Sequence, residues 1–232
     1  MTPPNKTFTP RALLLTAFFI IGIPSLPLLL SRRWAWWEAW VYAAINVLGF
    51  VVSRALAARR HPDLLAERAR FVSHDDAMEW DKVLSPLVGL GGGMIPLVVG
   101  LDALFSWSPS FGLAVKITAL VVLLAGYVVA SYALIENRFF SGVVRIQTDR
   151  GHKVISSGPY AWVRNPGYSG ALLTYFATPF FLDSYWAFLP VAFITIALIV
   201  RTNLEDRTLQ EQLEGYREYT EKVRYRLIPG VW

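Results

Sequence analysis

A chain of 232 residues that is 54% apolar and only 17% charged, with a mean hydropathy of +0.41, is too hydrophobic for an ordinary soluble domain, where about a quarter of residues carry charge. Its net charge of +5 would point to nucleic acid in a soluble protein, but the basic residues stand in short loops between apolar runs, where they orient helices in a bilayer, so no nucleic-acid partner is expected. The absence of cysteine excludes disulfides, thiolate metal sites and cysteine nucleophiles.

Four apolar runs reach the roughly 20 residues needed to cross a hydrocarbon core of about 30 Å: 12–30, 34–55, 83–104 and 111–135. The first follows Lys6 and Arg11, but it is longer than a signal-peptide apolar region and no small-residue cleavage site closes it, so it reads as a retained helix. The loop after the second run carries Arg54, Arg59, Arg60, Arg68, Arg70 and Lys82. In the third, Gly89 and Gly93 form a small-xxx-small pair expected to permit close helix packing, and Met94 stands where a dinucleotide loop would place its last glycine. Lys116 lies near one end of the fourth run, from which its ammonium is expected to snorkel to water.

The next loop, 136–166, carries Arg138, Arg145, Arg150, Lys153 and Arg164. Apolar residues then run over 168–182, stop at Asp183-Ser184 and resume over 185–200, which predicts a tight helical hairpin, 168–201, whose first arm rises only about 22 Å. The tail 203–223 repeats Leu204, Leu209, Leu213, Tyr216 and Tyr219 at near-helical spacing and predicts an interfacial helix over the mouth of the bundle. The expected fold is therefore all-α: one polytopic membrane domain over 1–232, with four spanning helices in 1–135, a C-terminal helical hairpin and an interfacial tail. The basic loops and tail should be cytoplasmic, and with them the N-terminus, whereas Arg32 and Arg33 run against the rule.

Between the fourth run and the hairpin stands Gly158-Pro159-Tyr160-Ala161-Trp162-Val163-Arg164-Asn165-Pro166-Gly167-Tyr168. Its prolines and glycines forbid a regular helix. Irregular backbone at membrane depth is tolerated where it is buried in protein or lines a polar cavity, and the rings offer flat faces for a ligand. An interfacial loop contributing to an aromatic belt is the other reading. A second polar cluster, Arg201, Glu205 and Asp206, lies at the end of the hairpin, where Arg201 and Glu205 share one helix face. Such charges either snorkel to water or build a polar wall. Because the hairpin returns to its starting level, the two clusters are placed to face one pocket.

The run His152-Lys153-Val154-Ile155-Ser156-Ser157-Gly158-Pro159-Tyr160, followed by Trp162, Arg164, Pro166, Tyr168 and Gly170, resembles the isoprenylcysteine carboxyl methyltransferase family and its bacterial relatives among phospholipid-type methyltransferases. Arg201-x-x-x-Glu205-Asp206, then Gly215-Tyr216-x-x-Tyr219 and Arg224-x-Arg226-Leu227-Ile228-Pro229-Gly230, resembles the same family's C-terminus. The likeness is fainter around 61–68 and Trp80-Asp81-Lys82. It implies that 136–232 is the cofactor-binding and catalytic region and that the cofactor is S-adenosylmethionine, bound at the cytosolic face of a membrane such as the bacterial inner membrane. The implied cofactor residues are His152, Lys153, Val154, Ile155, Tyr160, Arg164, Asn165, Pro166, Gly167, Tyr168 and Glu205, with Gln147 or Arg145 as a further polar contact. Arg201 is implied as the anchor of an acceptor carboxylate and, with Glu205, as a catalytic residue. Asn165 departs from the family, which has histidine there, and this bears on cofactor affinity, since asparagine donates a hydrogen bond but carries no charge.

Methyl transfer from a sulfonium is an in-line displacement that gains mainly from alignment and electrostatics, which agrees with a chain expected to hold no metal. The implied acceptor is a lipophilic, membrane-embedded molecule, with membrane lipids as surroundings. A carboxylate acceptor needs no base; for an amine or thiol, Glu205 is the candidate. His152 reads equally as a structural histidine. One alternative is an NADPH-dependent reductase of the sterol or steroid type, whose related turn carries asparagine directly before the tyrosine, where this chain has Gly167. The other is a non-enzymatic membrane protein of the same fold.

Overall fold

The computed structural model describes residues 10–69 and 76–232, with side chains from Leu14 onward; Lys6, Arg70 and the side chain of Arg11 lie outside the described residues. The first apolar run forms α1 (Pro10–Ala17) and α2 (Ile23–Ser31), joined by a π turn over Phe18–Gly22. Pro24 lacks an N–H and its ring crowds the carbonyl four residues back, so the widened turn falls just before it. Then follow α3 (Trp37–Arg60), α4 (Leu64–Ala69), α5 (Asp81–Phe105), α6 (Leu113–Glu136), α7 (Pro166–Phe181), α8 (Phe188–Gln212) and α9 (Tyr216–Lys222). Five described helices are long and apolar enough to cross a membrane: the Leu14–Ser31 run, α3, α5, α6 and α8. The chain is a multi-pass helical membrane protein.

Leu28, Leu123, Phe181, Ile194 and Leu198 form the buried core, while Leu48, Val121, Val128, Leu189 and Ile196 stand exposed on the outside of the bundle, the pattern of a protein whose surroundings are apolar too. Close packing uses other glycines than expected. A Cβ on Gly89 would meet nothing within 4 Å, whereas one on Gly126 or Gly170 would lie 2.6 or 2.5 Å from the other's carbonyl oxygen. There α6 and α7 touch backbone to backbone.

One end of the bundle is tied by polar contacts. Lys116 is drawn in between Glu38 and Asp183, at 2.6 Å from each, and does not snorkel to water; two carboxylates offset its desolvation. Asp102 accepts from Ser184 at 2.6 Å and from the Ser108 hydroxyl at 2.7 Å. At the opposite end lie the C-terminal half of α8, the start of α7 and the long 137–165 loop.

Two expected boundaries move. The second arm of the hairpin does not stop at 201: α8 continues to Gln212, because Arg201 and Asp206 find buried partners and need not leave the helix for water. The 203–223 tail is accordingly not one interfacial helix. Its first part belongs to α8, the chain turns at Gly215 with φ +78, and only α9 follows, packing Tyr216 and Tyr219 inward with Leu213 and Val223.

Candidate active site

Asn137 ends α6, and the loop beyond it holds only two short 3₁₀ turns, Thr148–Arg150 and Gly158–Ala161. Gly158 takes φ +58, and a Cβ there would sit 3.0 Å from the Tyr132 ring, so this turn requires glycine. Asn165 precedes the first turn of α7, where Pro166 occupies the position that needs no N–H donor. The C-terminal segment fastens this corner: Arg164 N donates to Tyr225 O and Asn165 N to Arg226 O, both at 2.9 Å, and Ser169 Oγ donates to Leu227 O at 2.6 Å.

Between the loop, α7, α8 and α9 opens a cavity whose empty space, open solvent at its mouth included, is about 840 Å³. Of the residues expected in the site, Gln147, His152, Lys153, Val154, Ile155, Tyr160, Arg164, Asn165, Gly167, Tyr168, Arg201 and Glu205 line it, as does Arg145. Pro166 is buried and Trp162 is 69% exposed, and neither lines the cavity. The two polar clusters meet directly: the Tyr168 hydroxyl donates to Glu205 Oε2 at 2.7 Å, and the Arg201 guanidinium lies 5.5 Å from the Tyr168 ring centre.

Many polar ends are already engaged. Arg145 is held by Glu67, Asp76 and Asp149, which raise its pKa against the opposing effect of burial. Gln147 donates to Phe139 O at 2.7 Å and accepts from Arg150, so both ends of its amide are used. Arg164 pairs with Asp206 at 2.8 Å, and Asp206, fully buried, also takes Arg226 at 2.9 Å and the Tyr216 hydroxyl at 3.2 Å. Asp206 is thus a hub tying α8 to the loop and the tail. His152 Nδ1 accepts from Gln147 N at 3.3 Å, and its ring lies 4.6 Å from that of Phe139. Burial, then the charges of Arg145 and Arg150, lower its pKa to about 4, so it stands neutral. Tyr160 accepts from Asn137 at 3.1 Å, and burial raises its pKa.

Arg201 pairs with Asp81 and makes no ion pair with Glu205. Its Nε lies 2.7 Å from Asp81 Oδ1 and its Nη2 3.0 Å from Oδ2, while Nη2 also donates to Gly142 O at 3.0 Å. Among the described residues Nη1 has no protein partner. Asp81 Oδ2 additionally accepts from Val144 N at 2.6 Å, so one carboxylate fixes both the arginine and the cavity-lining loop. Sequence reasoning did not assign Asp81 to the site, because the residue opens α5, 120 positions before Arg201. It also missed the walls made by Asn137, Phe139, Phe140, Val144, Leu209 and Tyr216, which carry no polar motif or lie in another element.

Fold and cavity together define a multi-pass helical membrane protein with a polar, aromatic-walled pocket at one end of its bundle. Residues 111–215, which span most of this pocket, match the phospholipid methyltransferase family. Two rice sequences, from Oryza sativa subsp. indica and subsp. japonica, each called a probable protein-S-isoprenylcysteine O-methyltransferase, are 29% identical over 117 residues, covering 47% of this chain and 59% of theirs. A Delta(14)-sterol reductase of Mus musculus is 32% identical over 95 residues, 40% of this chain and 23% of its own. The match to the phospholipid methyltransferase family covers just under half of the chain, which spans only 59% of the length of the rice relatives it matches.

Proposed function

We propose that this protein is a membrane methyltransferase that uses S-adenosylmethionine at the cytoplasmic face and methylates a lipophilic acceptor, in the first instance a carboxylate. The observation that carries the reading is the meeting of the 152–155, 160 and 164–168 segments with Arg201 and Glu205 around one cavity, inside the stretch that matches the family.

The residues fit such a cofactor. Glu205 Oε2 takes the Tyr168 hydroxyl, while Oε1 has no donor among the described residues, and the lining arginines Arg145, Arg164 and Arg201 are each paired with other carboxylates. A carboxylate left unneutralised in a cavity suits a ligand carrying cationic groups. The rings of Phe139, Tyr216 and Tyr219 offer faces for a planar base, and Asn165 offers a side-chain amide. S-adenosylmethionine supplies an electrophilic methyl group on a sulfonium. What the chain contributes is alignment: Tyr168 orients Glu205, Asp81 orients Arg201, and Arg201 Nη1 is left to hold an anionic acceptor. Glu205 takes a proton only if the acceptor is an amine or thiol.

Calorimetric titration of the detergent-purified protein with S-adenosylmethionine, with NADPH as comparison, tests this reading. Binding of the first, lost in Glu205→Gln, is expected; binding of NADPH alone would assign the chain to the reductase chemistry of its sterol-reductase relative. Label transferred from radioactive S-adenosylmethionine to one fraction of a membrane extract then identifies the acceptor.

A further inference from the structure

Beside the methyl-transfer pocket stand two arginines that this reading does not use. Arg54 lies in the last two turns of α3, at the level of the exposed apolar residues Val51, Val52 and Leu56. Its guanidinium is stacked 3.8 Å from the Phe50 ring centre, and Nη1 donates to Ser53 Oγ at 3.0 Å. Arg68, on α4, stacks 5.2 Å from the Phe140 ring centre and donates through Nη1 to Phe140 O at 3.3 Å. Phe140 belongs both to the pocket wall and to a buried cluster of Ala57, Leu64 and Leu134 that joins α3, α4 and α6. Arg54 stands one turn before Ala57 on α3, and Arg68 lies on Phe140, so both cations border this apolar cluster.

Neither has a carboxylate partner among the described residues, although acids are plentiful at this end. Asp63 is taken by Arg138 and Arg150, Glu67 by Arg145, Asp81 by Arg201 and Glu136 by Arg60. Two half-buried guanidiniums that border one apolar cluster, with no carboxylate partner among the described residues, are costly unless an anion joins them. Burial and the charge of Arg201 both pull the pKa of Arg68 down, which Tyr168 opposes, so an added negative charge would relieve an existing strain. A single carboxylate is satisfied by one guanidinium fork, whereas two forks match the several oxygens of a phosphate.

We infer that Arg54 and Arg68 form a second binding site, beside the methyl-transfer pocket, for the phosphate of a bilayer amphiphile whose chains lie along the exposed apolar face of α3. The site holds whichever acceptor is methylated, and its test needs no methyl transfer. The detergent-purified full chain in neutral maltoside micelles is titrated with dioleoyl phosphatidic acid, with oleic acid and with inorganic phosphate, and binding is followed by thermophoresis. Phosphatidic acid should bind, and Arg54→Gln and Arg68→Gln should each weaken it about tenfold, the loss of one charge-assisted hydrogen-bond set. Oleic acid, with its lone carboxylate, should bind about tenfold more weakly, and inorganic phosphate, without a chain to bury, weaker still. Should a glutamine variant fail to fold, Arg54→Lys and Arg68→Lys carry the test, since charge without the fork should cost about threefold to tenfold. Phosphatidic acid binding left unchanged by these substitutions overturns the site. Oleic acid binding as tightly as phosphatidic acid overturns the phosphate, and free phosphate doing so overturns the bilayer source.

Discussion

Arg201 and Asp81, 120 residues apart, meet in a two-point ion pair, Nε to Oδ1 at 2.7 Å and Nη2 to Oδ2 at 3.0 Å, with Asp81 fully buried. The pair fixes α8 to the start of α5 and turns the remaining edge of the guanidinium toward the cavity. Asp81→Asn leaves a buried cation without its partner and should destabilise the protein by about 3–5 kcal/mol, on the order of 10 °C in melting temperature for a chain of this size. Asp81→Asn combined with Arg201→Gln removes both charges and should recover a substantial part of that loss. Thermal unfolding in detergent decides it; equal melting of the single and double variants would mean that the pairing carries no such weight.

Arg201→Lys keeps the charge but loses the fork that Asp81 grips at two points. Turnover should fall about tenfold, as for the loss of one charge-assisted hydrogen bond, while the dissociation constant for S-adenosylmethionine stays within about twofold. Loss of cofactor binding would place Arg201 in the cofactor site instead.

Asn165 borders the cavity with its backbone tied to Arg226 O at 2.9 Å, while its Nδ2 reaches the same oxygen only at 3.5 Å, a contact weak enough to give up for a ligand. Asn165→His should bind S-adenosylmethionine as tightly or, below about pH 6.5, up to roughly tenfold more tightly, since a charged imidazole makes the stronger hydrogen bond to a carboxylate. Asn165→Leu should bind much more weakly. Three calorimetric titrations across pH suffice, and identical affinities would show that Asn165 does not touch the cofactor.

The stability of the fold should fall with acid in two separate windows. His152 has its folded pKa lowered to about 4 by burial, then by Arg145 and Arg150, so the unfolded chain binds its proton first, and the stability His152 contributes is complete above about pH 6.5 and lost as pH falls to about 4. Asp63 has its pKa lowered to about 2, chiefly by its hydrogen bonds with Arg150 and then Arg138, so its contribution is present above the usual carboxylate value of 3.8 and lost only below that. His152→Gln should flatten the melting profile between pH 6.5 and 4 and leave the lower limb unchanged, whereas Asp63→Asn should do the reverse. Superimposable profiles for His152→Gln and the parent protein would refute the first assignment.

The proposed sidedness is open to labelling, because the chain has no cysteine of its own. Ser157→Cys, in the pocket loop, should react with a membrane-impermeant maleimide only after bacterial cells are opened, and Ser106→Cys, beside Arg33 at the opposite end, should react in intact cells. Ser73, another position in the basic loops, lies outside the described residues. The reverse labelling pattern would put the pocket on the outer side.

Membrane insertion, the first four long apolar runs and the location of the pocket loop were legible in the sequence, because each rests on a local property: apolar length against bilayer thickness, or prolines and glycines that deny a regular helix to 158–165. The count of four was one short, since α8 is long and apolar enough to be a fifth span, and α7 starts at Pro166, inside the stretch read as irregular. The shared pocket followed as well, since a short hairpin must return its ends to one level, and Tyr168 does meet Glu205. Which charges are free was not legible. In sequence, Arg201 and Glu205 look like partners four residues apart, yet Asp81 claims the arginine from another helix, and Arg145 and Arg164 are likewise claimed by Glu67 and Asp206. The end of α8 and the burial of Lys116 were misjudged for the same reason: a charge reads as a helix end or a snorkelling side chain until a carboxylate distant in sequence is seen to neutralise it. Local periodicity set the helices, but partner choice among buried charges depends on distances of about 3 Å that only the packed bundle defines, since the energy of each charge there is decided by whether its counter-charge is in contact.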